Sequence, residues 1–289
     1  MSREPDVVLV TGGSSGIGRA LARAWARRGA RVFATSRRPD AMAPFDVPGI
    51  EPLALDVTDP ASIDAAVARV LASAGRIDVL VNNAGYGMVV PMLLGTPDAL
   101  RRQLETNVVG PAALVRAVAP GMVARGHGLI VNVGSVSGVL ATPFAGAYCA
   151  SKAALHAISD AMRMELAPLG VAVVMLQPGA VRSGFGDAAL AGVGDLDLAG
   201  SPYEPVRASI EQRATSSQDG AMDADVFAER VVALLARANP PSVIRMGRHS
   251  VLMPLLRWLL PVRVTDRILS RRFGLGTLRP AGRGDRDAS

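Results

Sequence analysis

The sequence predicts an α/β fold: a Rossmann-type, doubly wound parallel sheet in a single domain with a helical C-terminal extension. Two features predict it. Apolar runs of strand length alternate with helical segments, and a glycine-rich turn joins the first such run to the first helix. The chain has 289 residues, of which 49% are hydrophobic and 19% charged. This composition is close to the globular average and excludes a disordered or collagen-like chain.

The predicted strands are short apolar runs at residues 7–10, 31–35, 51–55, 79–82, 128–133 and 171–177. The predicted helices between and after them are residues 17–28, 60–73, 97–125, 147–167 and 223–238. Apolar strands separated by amphipathic helices are typical of βαβ units whose parallel sheet is covered on both faces. Such sheets bind ligands outside the carboxyl ends of their strands, so we expect the functional site in the loops that follow the strands.

The C-terminal part of the chain has a different composition. We predict a catalytic domain over residues 1–245, with a mobile substrate loop or lid at 183–222, where periodicity is weak and Gly, Ala, Asp and Ser are scattered. Residues 246–289 are predicted to be a basic, amphipathic extension with a disordered end. Within it, residues 250–273 are predicted to form two short helices interrupted by Pro254 and Pro261.

The positive charge lies in this extension. Residues 240–289 contain ten arginines and three aspartates, an excess larger than the net charge of +6 on the whole chain. Few aromatic residues lie between these arginines and no nucleic-acid module is visible, so we expect no nucleic-acid partner. The leucines of the extension can form one helical face that caps the substrate site, lies in a subunit interface or makes peripheral contact with a membrane. They are Leu252, Leu255, Leu256, Leu259 and Leu260.

Cysteine usage and the N-terminus indicate the compartment. Cys149 is the single cysteine, which excludes an internal disulfide framework and a multi-cysteine metal site. His127 and His156 lack further ligands at suitable spacing, so we expect no metal. The N-terminus is charged before any apolar run, unlike a secretory signal. The sequence also has no uninterrupted run of 18 apolar residues, so we expect no membrane-spanning helix. We therefore expect a cytoplasmic protein.

The glycine-rich turn has the features of a dinucleotide site. Gly12 permits a tight turn, Gly16 lets backbone amides approach a pyrophosphate, and Gly18 lets the helix pack closely on the strand. The amides at the start of that helix face the anion. The predicted contacts in this loop are Gly12, Ser14, Ser15, Gly16, Ile17 and Gly18.

The end of the second predicted strand indicates which dinucleotide is bound. An acidic residue there would accept a hydrogen bond from the ribose 2′-hydroxyl of NAD, whereas arginine accommodates the 2′-phosphate of NADP. This chain has Arg37 at that place, and Asp40 lies too far into the turn. We therefore predict NADP(H) in preference to NAD(H), the alternative being that the arginine is merely solvated.

Tyr148 and Lys152 lie four residues apart, on one face of a predicted helix. A tyrosine with a pKa of about 10 is a poor acid or base at neutral pH, but a nearby ammonium favours the phenolate and lowers that pKa. Of the 31 basic residues, 30 are arginine, so Lys152 is the only lysine in the chain. This singular placement favours a catalytic pair over a chance surface lysine.

With the glycine-rich turn, four further segments in this order resemble the short-chain dehydrogenase/reductase family over residues 6–182. They are Asn82-Asn83-Ala84-Gly85, Asn107, Ser135 and Tyr148-Cys149-Ala150-Ser151-Lys152. The resemblance implies NAD(P)-dependent hydride transfer in which Tyr148 donates the proton and Ser135 holds the substrate oxygen. It further implies that Lys152 supports Tyr148, and that Asn107 holds Lys152 through a water and extends a proton relay.

The same resemblance implies the remaining cofactor contacts and an assembly. Besides Tyr148 and Lys152, it assigns contacts to Asp56, Val57, Asn83, Ala84, Gly85, Pro178, Gly179, Val181 and Ser183. Ser183 stands where a threonine is usual, so the hydroxyl is kept. The family's habit of pairing through the helices that carry Asn107 and Tyr148 implies a homodimer or homotetramer.

Six mostly apolar candidates suggest the substrate class. They are Met88, Val89, Val90, Leu140, Phe144 and Phe185. An apolar pocket suits a hydrophobic ketone or secondary alcohol, whether steroid-like, retinoid-like, polyketide-like or acyl-like. A looser resemblance to the 17β-hydroxysteroid and retinol dehydrogenase branch agrees with this. The alternatives are an epimerase or dehydratase on the same scaffold, and a non-catalytic NADP-sensing or scaffold protein.

Overall fold

The computed structural model describes residues 5–194 and 196–279. The predicted disordered end of the extension lies outside these described residues.

A single seven-stranded sheet organises the molecule. All its strand pairs are parallel, in the order β3-β2-β1-β4-β5-β6-β7, which confirms the predicted fold class. The strands are β1 Val7–Val10, β2 Arg31–Ser36, β3 Ile50–Ala54, β4 Val79–Asn82, β5 Gly128–Val133, β6 Val171–Pro178 and β7 Val243–Met246. Strand β7 was not predicted from the sequence, because only one side chain of this four-residue edge strand is buried.

The helices follow the strands as crossovers and then form the C-terminal part. They are α1 Gly16–Arg27, α2 Pro60–Ala74, α3 Pro97–Leu104, α4 Gly110–Arg125, α5 Gly146–Leu166, α6 Phe185–Gly194, α7 Arg207–Thr215, α8 Ala224–Leu235, α9 Leu252–Leu259 and α10 Val262–Arg272. A π-helical turn, Glu105–Val109, joins α3 to α4, so the predicted helix over 97–125 is continuous.

The continuous helix Pro97–Arg125 is the one helix in the described ranges whose length and apolar composition would allow it to cross a membrane. Half of its most apolar window is buried against the rest of the protein. A core helix of a globular fold passes the same test, so this finding is weak support for a membrane span.

The central strand β1 shows how the sheet is covered on both faces. Val8 and Val10 belong to a core that contains α1 and α8, whereas Val7 and Leu9 belong to a second core that contains α2 and α4. Successive side chains of a strand point to opposite faces, so a strand buried on both faces must be apolar throughout. All four residues of β1 are buried accordingly.

The segment 183–222, predicted to be a loop, contains the two helices α6 and α7. Each turns only two or three side chains inward, such as Ala189 and Val193 on α6 and Ile210 and Ala214 on α7. So few buried positions leave too weak a periodicity to recognise a helix from the sequence. With Phe273, they form a third apolar cluster beside the carboxyl edge of the sheet.

The two short helices predicted within residues 250–273 are present as α9 and α10, but Pro254 does not interrupt them. Pro254 occupies the first turn of α9, where a missing backbone N–H breaks no helical hydrogen bond. Pro261 does separate the helices, since it immediately precedes α10.

A buried chain of polar side chains fixes α5 to the centre of the sheet. Asn82 donates from Nδ2 to Asn132 Oδ1 at 2.8 Å, and Asn132 donates to Ser159 Oγ at 2.8 Å. The two asparagines are paired in register on β4 and β5, and Ser159 lies on α5. A polar group buried without a partner is costly, so this chain favours one position of α5 on the sheet.

The substitution Asn132→Ala is expected to lower the free energy of unfolding by about 1–3 kcal/mol, because it removes the hydrogen bonds that join Asn132 to the Asn82 amide and the Ser159 hydroxyl. Urea denaturation followed by circular dichroism measures the change. Asn239→Ala is the matched control: Asn239 is exposed and makes no side-chain hydrogen bond within the described residues. Equal stability of the two variants would contradict the assigned role of the chain.

Candidate active site

A cavity of about 1420 Å³ lies along the carboxyl ends of the strands. Parallel strands bring all these ends to one edge, where the loops that follow them meet. Every residue predicted to be catalytic or to contact the cofactor, except Gly18 and Asn107, lines this cavity. The lining positions are Gly12, Ser14, Ser15, Gly16, Ile17, Arg37, Asp56, Val57, Asn83, Ala84, Gly85, Ser135, Tyr148, Lys152, Pro178, Gly179, Val181 and Ser183.

The glycine-rich turn forms a cradle at one end of the cavity. Gly12 and Gly16 both have positive φ, at 65° and 54°. A Cβ at Gly12 would lie 2.9 Å from Ala84 Cα, and one at Gly16 would lie 2.9 Å from Ser183 Cβ. Gly18 packs directly against this turn. A Cβ at Gly18 would lie only 2.3 Å from the Gly12 carbonyl oxygen, so a side chain there would not fit.

The start of α1 is suited to an anion. Helix α1 begins at Gly16, and within the described chain the amides of Gly16 and Ile17 donate to no protein acceptor. Free N–H groups at a helix N-terminus, with the positive end of the helix dipole, bind phosphate. The cradle therefore fits the pyrophosphate of a dinucleotide.

Thr11, which the sequence analysis did not single out, links this turn to β4. Its hydroxyl accepts hydrogen bonds from the amides of Asn83 and Ala84, both at 2.9 Å. Asn83 donates from Nδ2 to the carbonyls of Thr11 at 2.9 Å and Gly12 at 3.1 Å. Asn83 thus has a structural role as well as a place in the cavity lining.

Arg37 and Asp56 lie at the end of the cavity beyond β2 and β3. Asp56 accepts hydrogen bonds from the amide and hydroxyl of Thr58 at 2.9 and 2.7 Å. These bonds, with a smaller contribution from the charge of Arg37, hold the pKa of Asp56 below its ordinary value. Arg37 is exposed and makes no hydrogen bond or ion pair within the described residues, so its guanidinium is available to a ligand.

Ser135, Tyr148 and Lys152 meet in the middle of the cavity, and all three are buried. Lys152 Nζ lies 5.9 Å from the centroid of the Tyr148 ring and donates to the carbonyl of Val133 at 2.8 Å. Burial lowers the pKa of Lys152 to about 8, because an ammonium is less stable away from water. Ser135 follows β5, and its hydroxyl accepts from the amide of Ser137 at 3.1 Å.

The structure corrects the expected direction of the Tyr148 pKa. Burial raises the pKa of the phenol, and this effect outweighs a hydrogen-bonding contact with the Ser135 hydroxyl and the charge of Arg213, which act to lower it. Contrary to the expectation from the sequence, the positive charge of Lys152 does not offset this effect of burial. The phenol is therefore protonated throughout the neutral range.

Asn107 lies behind the cavity, in the π-helical turn between α3 and α4. Its amide donates to the Tyr86 carbonyl and to Ser151 Oγ, both at 3.0 Å, and its oxygen accepts from the Tyr86 amide at 3.2 Å. A Cβ at Gly85 would lie 2.9 Å from Asn107 Oδ1 and 3.7 Å from Lys152 Nζ. Asn107 is thus near Lys152 and holds the segment after β4, while its relay role stays a prediction.

Comparison with known proteins agrees with this geometry. A family model described as short chain dehydrogenase matches residues 6–192. The chain belongs to the short-chain dehydrogenase family. It is 35% identical over 273 residues to a short-chain dehydrogenase of Talaromyces islandicus, covering 93% of this chain and 95% of the relative. It is 36% identical over 184 residues to a 3-ketodihydrosphingosine reductase of Bacteroides thetaiotaomicron, covering 64% and 67%.

Solved structures of other short-chain dehydrogenases have the same fold. One from Streptomyces avermitilis is 34% identical, with a TM-score of 0.78 over 96% of this chain and 100% of its own. One from Burkholderia cenocepacia, in complex with NADP, is 25% identical, with a TM-score of 0.73 over 93% and 99%. One from Burkholderia phymatum, in complex with NAD, is 25% identical, with a TM-score of 0.74 over 93% and 96%. This chain is therefore a short-chain dehydrogenase/reductase oxidoreductase.

Only two of the six residues proposed for the substrate side of this short-chain dehydrogenase line the main cavity. Leu140 and Phe185 do, and the Phe185 ring lies 5.4 Å from the Tyr148 ring between centroids. Residues 88–90 line a separate cavity of about 310 Å³. Phe144 is buried in the third apolar cluster, where it packs edge-on against Tyr203 and Phe273.

Arg213 is a cavity residue that the sequence analysis missed, because α7 was read as part of a loop. Its Nε donates to Thr142 Oγ1 at 2.7 Å and its Nη1 to Ser216 Oγ at 3.3 Å. It forms no ion pair within the described ranges. Its charge acts on Tyr148, so a cation faces the substrate side of the reacting groups.

His156 supports the loop that carries Ser135. Its Nε2 accepts a hydrogen bond from the Ser135 amide at 3.5 Å, and Gly134 and Gly138 pack closely on the ring. Burial, followed by the charge of Lys152, lowers the pKa of His156 to about 4. The imidazole is therefore neutral at physiological pH and can accept this hydrogen bond. Its position four residues after Lys152 was visible in the sequence, but its contact with the Ser135 loop was not.

Acid should destabilise the protein through His156. Its folded-state pKa of about 4 lies below the unfolded value of 6.5. The unfolded state therefore binds the proton first, and the stability of the neutral form, present above pH 6.5, is lost as the pH falls toward 4. Comparison with His156→Gln isolates this effect, which should reach roughly 1–2 kcal/mol because the ring is partly exposed.

Urea denaturation of both proteins at pH 4.5 and pH 7 measures the effect. The stability of the wild type relative to His156→Gln should be lower at the acidic pH. A difference that does not change with pH would exclude a lowered pKa for the imidazole of His156.

Proposed function

We propose that this protein is an NADP(H)-dependent oxidoreductase that transfers hydride between nicotinamide and a hydrophobic ketone or secondary alcohol. The observation that carries the proposal is the meeting of Ser135, Tyr148 and Lys152 in one cavity with the glycine cradle at the start of α1. When bound, the cofactor supplies the nicotinamide that accepts or donates the hydride.

The protein's own residues handle the oxygen and the proton. Ser135 holds the substrate oxygen through its hydroxyl, which the Ser137 amide orients. Tyr148 donates the proton to that oxygen in the reductive direction. Its raised pKa keeps the phenol protonated at neutral pH, which suits it as a proton donor. Phe185 packs beside the ring and helps to exclude water.

Lys152 assists the proton transfer from Tyr148. Its pKa of about 8 leaves it mostly protonated at neutral pH, so that its positive charge stabilises the phenolate formed when the proton leaves. The Val133 carbonyl fixes the ammonium, and Asn107, on the neighbouring π-helical turn, extends the polar path away from the cavity. A π-helical turn within an α-helix is common at functional sites.

The preference for NADP(H) rests on Arg37. Its unpaired guanidinium lines the cavity just past β2 and can bind a 2′-phosphate through charge-assisted hydrogen bonds. Ser36, beside it, offers a hydroxyl to the same group. Asp40 lies on the following turn and is exposed, outside the cavity lining.

The substrate half of the cavity favours an apolar molecule with one polar end. Its walls include Leu140, Phe185, Leu256 and Leu269, while Arg213 offers N–H groups to a carbonyl or carboxylate oxygen. The relative from Bacteroides thetaiotaomicron is named for a keto substrate, which supports a carbonyl compound here. A steroid-like, retinoid-like, polyketide-like or long acyl ketone has the required chemistry.

We further propose a cytoplasmic homodimer or homotetramer. The buried, lone Cys149 is compatible with a reducing compartment. Exposed apolar side chains at the π-helical turn and on α5, Val109 and Met164, support pairing through the helices that carry the site.

Tyr148→Phe should reduce kcat about 10²- to 10⁴-fold, because it removes the proton donor and keeps the ring. NADPH oxidation at 340 nm, with a panel of steroid, retinoid and aryl ketones, measures turnover. NADPH binding, followed by fluorescence, should weaken far less than kcat falls, because Tyr148 is only one of many predicted cofactor contacts. Tyr203→Phe, outside the cavity, is the control and should retain activity. Undiminished turnover by Tyr148→Phe would refute the assignment.

Arg37→Ser should weaken NADPH binding about 10- to 100-fold and leave NADH binding nearly unchanged, because the charge is directed at the 2′-phosphate alone. Titration of each cofactor by intrinsic fluorescence gives both dissociation constants. Arg38→Ser, an exposed neighbour outside the cavity lining, is the matched control. An equal loss for both cofactors would assign Arg37 a general structural role instead.

A further inference from the structure

An apolar stripe runs along the outer side of α9. It consists of Val251, Leu252, Leu255, Trp258, Leu259 and Val262, whose exposed fractions range from 45% to 81%. Val251, Leu252, Leu255, Trp258 and Leu259 have helical spacing and share one side of α9, and Val262 follows at the start of α10. Trp258 is the most exposed of them, with 81% of its surface open to solvent. A contiguous exposed patch of this kind marks an interaction surface.

The opposite side of α9 belongs to the catalytic cavity. Met253, Leu256 and Leu260 line that cavity, as do Ile268 and Leu269 of α10. Ile268 is also half exposed, so it lies where the cavity wall reaches the outer surface. The helix pair therefore separates the reaction site from the exterior, with apolar side chains on both sides.

Uncompensated positive charge surrounds the apolar stripe. Residues 252–272 carry five arginines against the single carboxylate of Asp266. Four of them, Arg257, Arg263, Arg267 and Arg271, lie outside the cavity lining, whereas Arg272 lines the cavity. None of them forms an ion pair with another described residue. The face is thus apolar and cationic at once.

We propose that the α9–α10 face docks on the surface of an anionic lipid bilayer. The leucine and valine side chains enter the boundary between headgroups and acyl chains, a depth at which tryptophan is enriched in membrane proteins. The arginines bind the lipid phosphates. Each basic residue near an anionic membrane adds to the attraction. The charge complements such a membrane.

A second copy of this chain fits the face less well. Two copies that pair symmetrically bring the same patch together, so both partners would present arginines to each other with only Asp266 of each copy to offset them. An anionic bilayer has the opposite charge and needs no matching shape. The charge on the face therefore favours lipid.

Docking in this way would place the wall of the cavity at the bilayer surface, where an apolar ketone or alcohol dissolves. This consequence for substrate access rests on the proposed function. The docking itself does not, and vesicle binding without any turnover measurement tests it separately.

The test is co-sedimentation of the full-length protein with vesicles of phosphatidylcholine alone or mixed with phosphatidylserine. The wild type should bind the mixed vesicles at least tenfold more tightly, and binding should weaken as salt screens the charges. Leu255→Ser/Trp258→Ser should reduce binding to the mixed vesicles at least tenfold. Arg263→Glu/Arg267→Glu should abolish the preference for phosphatidylserine.

Leu71→Ser/Arg69→Glu is the matched control, because both residues are exposed on α2, far along the chain from the α9–α10 face. It should bind vesicles as the wild type does, and thermal melting should show that all variants remain folded. The proposal is overturned if the wild type binds neither vesicle, or if Leu255→Ser/Trp258→Ser binds undiminished. It is also overturned if the wild type does not bind lipid and light scattering shows that the wild type is an oligomer while Leu255→Ser/Trp258→Ser is a smaller species, because the face would then be a subunit interface.

Discussion

The parallel arrangement of all seven strands is the constraint on which the rest of the structure depends. Because every strand runs in the same direction, every strand must be followed by a crossover, and all the carboxyl ends open on one edge. Side chains far apart in sequence, such as Arg37, Ser135 and Ser183, therefore line one cavity. Helices must cover both faces of such a sheet, which requires apolar strands and leaves the edge loops free for polar residues.

Polar groups buried behind that edge determine the chemistry. Helix α5 carries Tyr148 and Lys152, and the Asn82–Asn132–Ser159 chain fixes it on the sheet. Burial then acts in opposite ways on the two ionisable groups: it raises the pKa of the phenol and lowers that of the amine. Both shifts favour the neutral form, and they leave a protonated tyrosine next to an amine that keeps its charge at neutral pH.

The C-terminal helices link the reaction site to the outside of the molecule. Phe273, buried in the third apolar cluster, anchors the end of α10, while Leu256 and Leu269 close the substrate side of the cavity. The outward side of α9 has no apolar cover within the described chain, although burial of such side chains would be favourable. One pair of short helices thus forms a cavity wall and an exposed basic, apolar surface.

Six of the seven strands, the glycine cradle and the Tyr148–Lys152 pair are predictable from the sequence, because apolar runs, turn residues and helical spacing are local properties of the chain. Helices α6 and α7, strand β7, and the contacts of Arg213 and His156 are not predictable in this way, because they depend on how distant parts of the chain pack. Those short elements turn few side chains inward, so they have little periodicity of their own. The direction of the Tyr148 pKa shift is likewise decided only by the tertiary structure, since desolvation depends on how many distant residues surround the phenol and not on its neighbours in sequence.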